Sequence, residues 1–279
     1  MIRSQVRKQT QFAILPPTRA SVSSVFQNVT VNPQRHGELM AEMQRFRGRI
    51  YAGDGAIRAD DLTTDGRHQV AADGRSWHVL ALNHSGRVCA CLRYLEEEHA
   101  RGFDELFVRH AALARSPMLG WGFRKAVETE MARSRQMGIG FGEVGGWAVA
   151  EEYRWTPEPL RIVLAIVALM DLLGGSAGVV TATSRHRSAA ILRRIGLRSL
   201  QVDGSDLPSY YDPQYSCEME VLRFDSRFPN PKYRDWVDQL ASCLSASPVI
   251  CQSSAGSSVR DSFGDVELQG AEPVLVPAA

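Results

Sequence analysis

The sequence predicts a single α/β layer domain. Apolar residues recur at helical spacing in some segments and form short strand-like runs in others. The order along the chain is helix, two strands, helix, strand, helix, strand, helix, strand, which is typical of a sheet covered by helices. The length of 279 residues, with 44% hydrophobic and 23% charged residues, is ordinary for a globular protein.

Composition and residue spacing disfavour nucleic-acid binding, secretion, a membrane span and a metal site. The net charge of +1 gives no general basis for binding nucleic acid, so no such partner is expected. Five cysteines, an odd number, and the lack of a secretory apolar segment favour reduced thiols and a cytoplasmic location. The run LRIVLAIVALMDLL is shorter than the roughly twenty residues of a membrane span, and it predicts a buried core helix. The histidines lack metal-ligand spacing, so no metal site is predicted.

Composition also divides the first half of the chain. Residues 1–32 are rich in Ser, Thr and Gln and predict a flexible N-terminal arm. From Pro33 onward, the segment ELMAEMQRFRGRIY has apolar residues at helical spacing. The Gly- and Asp-rich residues 53–75 predict a long loop, a feature that is often functional. The runs SWHVLAL and RVCACLRYL, separated by a turn, predict a hairpin.

The second half of the chain continues the alternation of predicted helices and strands. Ser116 and Gly138 bound a predicted helix as its N-cap and its stop. The strand FGEVGGWAVA contains adjacent glycines, which suggest a bulge or the close approach of a ligand. An apolar helix is predicted from Pro157, and AGVVTAT, RSAAILRRIG, CEMEVLRF and PKYRDWVDQLASCL predict a strand, a helix, a strand and a helix. Residues 244–279 predict a disordered tail, which leaves 33–243 as the folded domain.

The segment VAEEYRWTPEPL joins a strand to the apolar helix. Together with the later segment SAAILRRIGL, it resembles the GNAT superfamily of N-acyltransferases, whose members place Arg/Gln-x-x-Gly-x-Gly/Ala at this junction. The resemblance covers roughly residues 35–225. It implies an α/β fold with a mixed, mostly antiparallel central sheet flanked by helices.

Prolines replace the glycines of that junction. In the superfamily, backbone N–H groups at the helix N-terminus bind the diphosphate of coenzyme A. Pro157 and Pro159 suit the first turn of a helix but lack these donors. Two lost hydrogen bonds to a charged group weaken binding by roughly 3 kcal/mol or more. The prolines therefore either simply start a helix or also disfavour coenzyme A as a tightly bound cofactor.

Four further stretches resemble a narrower branch, the acyl-homoserine-lactone synthases and N-acyl-amino-acid synthases. FRGRIY, GRVCACLRY, DDLTTDGRHQ and EVGGWAV are similar to their first motif, strand arginine, acidic loop and last motif. The resemblance implies an acyl-phosphopantetheine thioester on acyl carrier protein as donor, with coenzyme A less favoured, and a small-molecule amine as acceptor. Gly146 in place of an arginine, and Ile57 near the position of a missing tryptophan, disfavour a homoserine lactone product. Leu192 replaces the tyrosine that often serves as general acid.

The matched positions give the candidate site residues. Arg93 and Glu143 are the catalytic candidates, because a charge among apolar neighbours requires a partner and Glu143 is the expected one. Glu143 is also a candidate general base for the acceptor amine. The alternative is a structural ion pair. The candidate substrate-binding residues are Arg47, Tyr51, Asp61, Trp147, Val149 and Arg154.

Arg47 and Trp147 each have an alternative role. Arg47 is expected to pair with Asp60, Asp61 or Asp65 and to close the acidic loop over the substrate, unless the pair is a surface ion pair of little effect. Trp147 is expected beside the thioester, where a free backbone N–H near the bulge would polarise the carbonyl. Otherwise Trp147 is a core aromatic residue.

Arginines cluster in the segment SRHRSAAILRRIGLR. They form a local basic patch in an otherwise neutral chain. Such a patch either steers the acidic surface of an acyl carrier protein or is a solvated helix face. The candidate carrier-protein-binding residues are Arg185, Arg187, Arg193 and Arg194.

The sequence and its resemblance thus predict an N-acyltransferase that moves a fatty acyl group from acyl carrier protein to the amine of an amino acid or a similar small molecule. One alternative is an N-acetyltransferase that uses acetyl-coenzyme A. Another is a non-catalytic protein of the same fold that only binds a ligand.

Overall fold

The computed structural model describes residues 10–97 and 99–253. Short 3-10 turns join the helices and strands of this part of the chain. The helices are α1 (Pro33–Gly53), α2 (Gly120–Gln136), α3 (Glu158–Leu172), α4 (Ser188–Arg194) and α5 (Arg234–Ala246). The strands are β1 (Gln11–Leu15), β2 (Val29–Val31), β3 (Ser76–Leu82), β4 (Val88–Glu96), β5 (Gly140–Val149), β6 (Ser176–Thr183), β7 (Arg198–Ser199), β8 (Gln201–Val202), β9 (Ser205–Asp206), β10 (Tyr210–Asp212), β11 (Cys217–Asp225) and β12 (Val249–Cys251).

Ten of the described strands form one sheet. Nine of them follow the order β10-β11-β6-β5-β4-β3-β1-β12-β2, and β7 also pairs with β11. Most neighbouring strands are antiparallel, while the parallel pairs are β5 with β6, β1 with β12 and β12 with β2. Helices pack against the sheet through its central strands. The predicted mixed, mostly antiparallel sheet flanked by helices is therefore confirmed.

The predicted domain boundaries differ from the observed fold. β1 lies within the predicted flexible arm, yet each of its residues pairs with β3. β12 lies within the predicted disordered tail, yet it pairs with β1 and β2. These strands are three to five residues long and find their partners far away in the sequence, so no local pattern marks them. The folded part thus includes residues 10–32 and 244–253, while 1–9 and 254–279 lie outside the described residues.

Alternate residues of β6 separate two packed layers. Val179 belongs to an apolar cluster with Phe123 and Val127 of α2. Val180 belongs to another cluster, which contains Ile162 and the rest of the apolar face of α3. Because successive strand residues point to opposite faces, α2 and α3 lie on opposite sides of the sheet.

α3 is the predicted core helix. Eleven of its fifteen residues are buried, and it packs against β3, β4 and α5. Pro157 is its N-cap residue and Pro159 lies in its first turn, as predicted. In residues 10–97 and 99–253, no helix is long and apolar enough to cross a membrane.

β5 and β6 diverge halfway along their length. Their parallel ladder ends at the pair Val144 and Val180, although both strands continue beyond it. At the same place, the register of β5 with β4 shifts between Cys91 and Arg93, and Gly146 has a φ of +67°. The bulge predicted at the paired glycines is therefore confirmed. Divergence and bulge together open a gap in the middle of the sheet.

Gly178 of β6 permits close contact in the half of these strands that remains paired. A Cβ at this position would lie 1.8 Å from the Gly142 carbonyl oxygen and 2.8 Å from the Phe224 ring. We expect Gly178→Ala to lower the free energy of unfolding by at least about 2 kcal/mol in urea denaturation, because the backbone must move. Gly37→Ala in α1 is the control: open space surrounds Gly37, so this change should raise stability by about 0.5–1 kcal/mol. A Gly178→Ala variant with the same free energy of unfolding as the wild type would contradict the prediction.

Candidate functional site

A cavity of about 870 Å³ occupies the gap between β5 and β6. α1, α4 and the loops that precede β3 and α3 complete its wall. Ten of the twelve candidate site residues line this cavity, whereas Asp61 and Arg193 do not. The ten are Arg47, Tyr51, Arg93, Glu143, Trp147, Val149, Arg154, Arg185, Arg187 and Arg194.

Arg47 of α1 is buried and is held by one carboxylate. Its Nη1 donates to Asp73 Oδ1 at 3.0 Å, and its Nη2 donates to Asp73 Oδ2 at 2.7 Å. A further hydrogen bond runs from Nη2 to the His68 carbonyl oxygen at 2.5 Å. This paired, parallel geometry is the strongest that arginine forms with a carboxylate. It fixes α1 to the loop that precedes β3.

The predicted pairing of Arg47 with Asp60, Asp61 or Asp65 is wrong. All three carboxylates are exposed. Asp61 accepts a hydrogen bond from a backbone N–H of its own turn, and Asp65 pairs with two other arginines. Arg47 is only 1% exposed, and a buried guanidinium requires a counter-charge that is buried with it. Asp73 supplies that charge.

Asp73 is a central residue that no sequence motif marks. It begins a 3-10 turn at the end of the long loop. Its carboxylate also accepts from Gln44 Nε2 at 3.0 Å, and its carbonyl oxygen lies 2.9 Å from His78 Nε2. Burial opposes the charge of Asp73, but the hydrogen bonds and charge of Arg47 outweigh it and lower the pKa to about 2. The only sequence signal is membership of a long Gly- and Asp-rich loop.

Arg93 of β4 faces the same carboxylate. Its Nη1 lies 3.6 Å from Asp73 Oδ1, and its guanidinium lies 4.7 Å from the centre of the Phe107 ring. The expected ion pair with Glu143 is wrong: Arg93 pairs with Asp73, and Glu143 lies diagonally across the ladder because Gly145 is directly opposite Arg93. Both side chains still project from one face of the sheet into the cavity.

The cluster of Arg47, Asp73 and Arg93 carries an excess of positive charge. Two buried guanidinium groups share one carboxylate, and the Nε of each lacks a hydrogen-bond partner. Burial lowers the pKa of Arg93, and the nearby charge of Arg47 adds to this effect. Arginine nevertheless remains protonated at any physiological pH. The cluster therefore favours an anionic ligand, such as a carboxylate, in the cavity.

Glu143 of β5 has a buried carboxyl group at the cavity wall. Burial raises its pKa to about 7, and the nearby charge of Glu97 adds to this effect, while hydrogen bonds with the backbone of Val108 and Phe107 oppose it. Its Oε1 lacks a hydrogen-bond partner. A carboxyl group that titrates near neutral pH and faces a cavity is suited to accept a proton from a bound molecule.

Six buried polar atoms without a partner in the described chain belong to residues that line this cavity. Buried polar groups in folded proteins are nearly always paired, so such a concentration indicates a site that a polar ligand completes. Two of the residues were not among the candidates: His68 lies in the acidic-loop stretch DDLTTDGRHQ, and Tyr210 lies in no motif. Among residues 10–97 and 99–253, no group of His, Cys, Asp and Glu is arranged to hold a metal ion. The six atoms are Arg47 Nε, His68 Nδ1, Arg93 Nε, Glu143 Oε1, Trp147 Nε1 and Tyr210 OH.

Trp147 and Val149 lie in the diverging half of β5. The Tyr51 hydroxyl donates to the Trp147 carbonyl oxygen at 3.2 Å, which ties α1 to the bulge. Gly146 provides room for Arg47, since a Cβ at this position would lie 3.2 Å from Arg47 Nη1. This half of β5 has no ladder partner in β6, so its edge is open to the cavity.

The first turn of α3 offers few hydrogen-bond donors. Pro157 and Pro159 have no N–H, and the N–H of Glu158 donates to Thr156 Oγ1 at 3.1 Å. The Leu160 N–H is the remaining donor of this turn. The carboxylate of Glu158 at the same place forms an ion pair with Arg161 Nη1 at 3.1 Å. A helix start of this kind is a poor site for a diphosphate.

Arg154 and Arg185 are fixed at the cavity wall by one residue. Arg154 Nη2 forms an ion pair with the Asp54 carboxylate at 2.9 Å, and Arg185 donates to the Asp54 carbonyl oxygen. Asp54 follows directly after α1. These contacts connect the end of α1 to the loops before α3 and α4.

The other arginines of the predicted basic patch divide between two locations. Arg187 and Arg194 are exposed and line the cavity. Arg193 lies outside the cavity and pairs with Glu220. The patch therefore forms one side of the cavity mouth without Arg193.

Comparison with known proteins identifies the fold. No model of a known protein family and no curated protein sequence matches the chain. Among solved structures, the chain is similar to BjaI, a CoA-dependent acyl-homoserine lactone synthase solved with SAM and isopentyl-CoA. The two chains are 14% identical in sequence and superpose with a TM-score of 0.52, and the match covers 87% of this chain and 92% of BjaI. It is also similar to MesI, another CoA-dependent acyl-homoserine lactone synthase, at 15% identity and a TM-score of 0.50, over 86% and 98%. The resemblance found in the sequence is thus confirmed at the level of fold.

We expect Asp73→Asn to lower the free energy of unfolding by about 3–5 kcal/mol at pH 7, because two buried guanidinium groups lose their counter-charge. Urea denaturation measures this change. The pKa of Asp73 is about 2 in the folded protein, below its ordinary value, so its stabilising effect is complete above about pH 4. The difference between variant and wild type should therefore shrink as the pH falls toward 2.

Asp65→Asn is the matched control for this prediction. Asp65 also accepts hydrogen bonds from arginines, but it is exposed, so its replacement should have little effect on stability. Equal effects of the two substitutions would contradict the role assigned to Asp73.

Proposed function

We propose that the protein is an N-acyltransferase. It moves a fatty acyl group from a phosphopantetheine thioester to the amine of an amino acid or a similar small molecule that carries a carboxylate. One observation carries the proposal: the buried Arg47, Arg93 and Glu143, each with an unsatisfied polar atom, converge on one cavity in the gap between β5 and β6. Cations for a carboxylate and a base for an amine are the groups that an amino acid acceptor requires.

The excess charge of the cluster selects the acceptor. The carboxylate of the amino acid would lie against Arg93 and Arg47, where it balances the second guanidinium group. Tyr51 and Arg154 line the same cavity and would position the rest of the acceptor. An amine without a carboxylate would leave a buried positive charge unpaired, which is unfavourable by several kcal/mol. The acceptor class is therefore a carboxylate-bearing amine.

The chemistry is a direct attack of the amine on the thioester carbonyl carbon. Glu143 takes a proton from the amine nitrogen as the C–N bond forms, and the C–S bond then breaks as the thiolate leaves and is protonated. Trp147 and Val149 would flank the thioester. A backbone N–H on the open edge of β5 would donate to the carbonyl oxygen as it becomes an oxyanion.

The donor arrives on acyl carrier protein in this proposal. The first turn of α3 retains the Leu160 N–H as its free donor, because two of its residues are prolines and the Glu158 N–H donates to Thr156. A carrier-bound phosphopantetheine arm has no adenosine diphosphate and does not need that site. Arg185, Arg187 and Arg194 at the mouth, with Arg193 beside them, would attract the acidic carrier and its phosphate.

Coenzyme A is the alternative donor. BjaI and MesI, which share this fold, are described as CoA-dependent. With that donor the protein would be an N-acetyltransferase or a longer-chain acyltransferase with an altered diphosphate contact. A non-catalytic, ligand-binding role is the other alternative.

We expect the protein to form an N-acyl amino acid from acyl carrier protein thioester and a mixture of amino acids, detected by mass spectrometry. Glu143→Gln should lower kcat/KM by roughly 10²–10⁴-fold, because the proton acceptor is lost. The pKa of Glu143 is about 7, so kcat/KM of the wild type should fall as the pH drops below 7. This dependence should disappear in the variant.

Glu128→Gln is the control, because Glu128 is an exposed residue of α2 outside the cavity. Its activity should equal that of the wild type. Absence of any N-acyl product would exclude the proposed activity, and an unchanged Glu143→Gln variant would exclude the proposed base.

We expect the double substitution Pro157→Gly and Pro159→Gly to improve use of acyl-coenzyme A. Two restored N–H donors would stabilise the bound diphosphate by roughly 3 kcal/mol or more, which corresponds to a KM at least about 100-fold lower. Steady-state kinetics with acyl-coenzyme A and with acyl carrier protein, each with the same chain, measure the effect. The KM for the carrier protein should stay unchanged.

The outcome that contradicts this prediction is efficient use of acyl-coenzyme A by the wild type, with no gain in the double variant. Such a result would place the diphosphate elsewhere and favour coenzyme A as the natural donor.

A further inference from the structure

Glu97 is a second buried acid beside Glu143. Glu97 follows β4 directly, and its N–H donates to the Phe141 carbonyl oxygen of β5 at 2.9 Å. Two residues earlier in β4, Leu95 lies opposite Glu143 of β5. Residues 95 and 97 share one face of the extended chain, as do 141 and 143, so the two glutamates are diagonal neighbours. Their carboxyl groups are within hydrogen-bonding reach of each other.

Each of these two carboxyl groups has an unsatisfied oxygen. Glu97 Oε1 and Glu143 Oε1 both lack a hydrogen-bond partner among the described residues. Two carboxylates cannot satisfy each other, because neither has a donor, but one shared proton creates a donor and an acceptor. Like charges at this distance also cannot both ionise at little cost. The geometry therefore favours a pair that holds one proton.

Glu97 connects this pair to the protein surface. Its side chain is 5% exposed and does not line the cavity, whereas its Oε2 lies 4.0 Å from Nη1 of Arg75, a side chain that is 60% exposed. Glu143 lines the cavity on the other side. A short path thus runs from the cavity through two carboxyl groups to the exposed Arg75 at the surface.

We propose that Glu97 relays protons between Glu143 and solvent. The inference rests on the proposed function, because that reaction releases a proton. An ammonium acceptor and a thioester give an amide, a thiol and one H⁺. Of the two protons that the nitrogen loses, one protonates the leaving thiolate and one must reach water. While both substrates fill the cavity, Glu143 passes that proton to Glu97, which releases it beside Arg75.

The other charged groups around the pair are consistent with this role. Arg93 faces Glu143 and Arg75 faces Glu97, and each favours an ionised carboxylate. Glu105 is the further acidic group near Glu97 and disfavours its ionisation. Backbone hydrogen bonds from Phe107 and Val108 complete the surroundings. Arginine is already protonated and cannot take this proton, so the proton stays with the two carboxyl groups.

Substitution of Glu97 tests the relay. Glu97→Gln should lower kcat roughly tenfold to a hundredfold, because Glu143 can no longer pass on its proton. Exogenous imidazole should restore kcat toward the wild-type value, since a small buffer can carry the proton. The pH below which kcat/KM falls should also decrease, because Glu143 loses a negatively charged neighbour and its pKa becomes lower. Glu97→Asp, which keeps the carboxyl group, should retain more activity than Glu97→Gln.

Glu128→Gln is the control here too, because Glu128 is exposed and lies outside the path. Its kcat and its response to imidazole should equal those of the wild type. A Glu97→Gln variant with unchanged kcat, or with a loss that imidazole does not reduce, would overturn the relay. Thermal melting of each variant establishes that it is folded.

Carbon-13 NMR of the glutamate carboxyl groups separates this inference from the proposed function. In the free protein, Glu97 and Glu143 should titrate as a coupled pair in two steps, and Glu97→Gln should lower the pKa of Glu143. This readout requires no activity. Absence of any amide product with the wild type would refute the proposed function alone, whereas independent titration of the two groups would refute the shared proton even if amide forms.

Discussion

The ion cluster of Arg47, Asp73 and Arg93 is the interaction on which the site depends. It joins three separate elements, α1, the loop before β3 and β4, at one buried carboxylate. Removal of charges from water is costly, and a single carboxylate only partly offsets the burial of two guanidinium groups. The fold retains this arrangement at the wall of its central cavity. A cluster that is incompletely neutralised in the free protein is suited to bind an anion that neutralises it.

The cavity exists because the sheet is irregular in its middle. Adjacent glycines allow the bulge in β5, and close contact at Gly142 and Gly178 keeps β5 and β6 together below it. Above the bulge the strands diverge and expose backbone groups that a regular ladder would use. The same few residues thus open the binding space and provide polar groups along its edge. Helices on both sides of the sheet hold this irregular region in place.

Sequence patterns predicted the elements that carry a local signal. The hairpin of β3 and β4, the bulge in β5 and the proline start of α3 follow from alternation, glycine pairs and proline stereochemistry. β1 and β12 were missed, because strands of five and three residues acquire their identity from distant partners. Ten of the twelve candidate site residues line the cavity, and most of these candidates came from the positions matched in the resemblance. The partner of Arg47 was not predictable, because the long loop contains several equivalent aspartates and only folding buries Asp73.

The pairing of β1 with β12 has a consequence for synthesis of the chain. β1 leaves the ribosome more than 200 residues before its outer neighbour, since Ile14 lies opposite Val249. Until that late segment is made, β1 presents an open edge of the kind that promotes association between chains. Completion of this half of the sheet must therefore wait until β12 has been synthesised. The nascent protein depends on its last described strand to close its first.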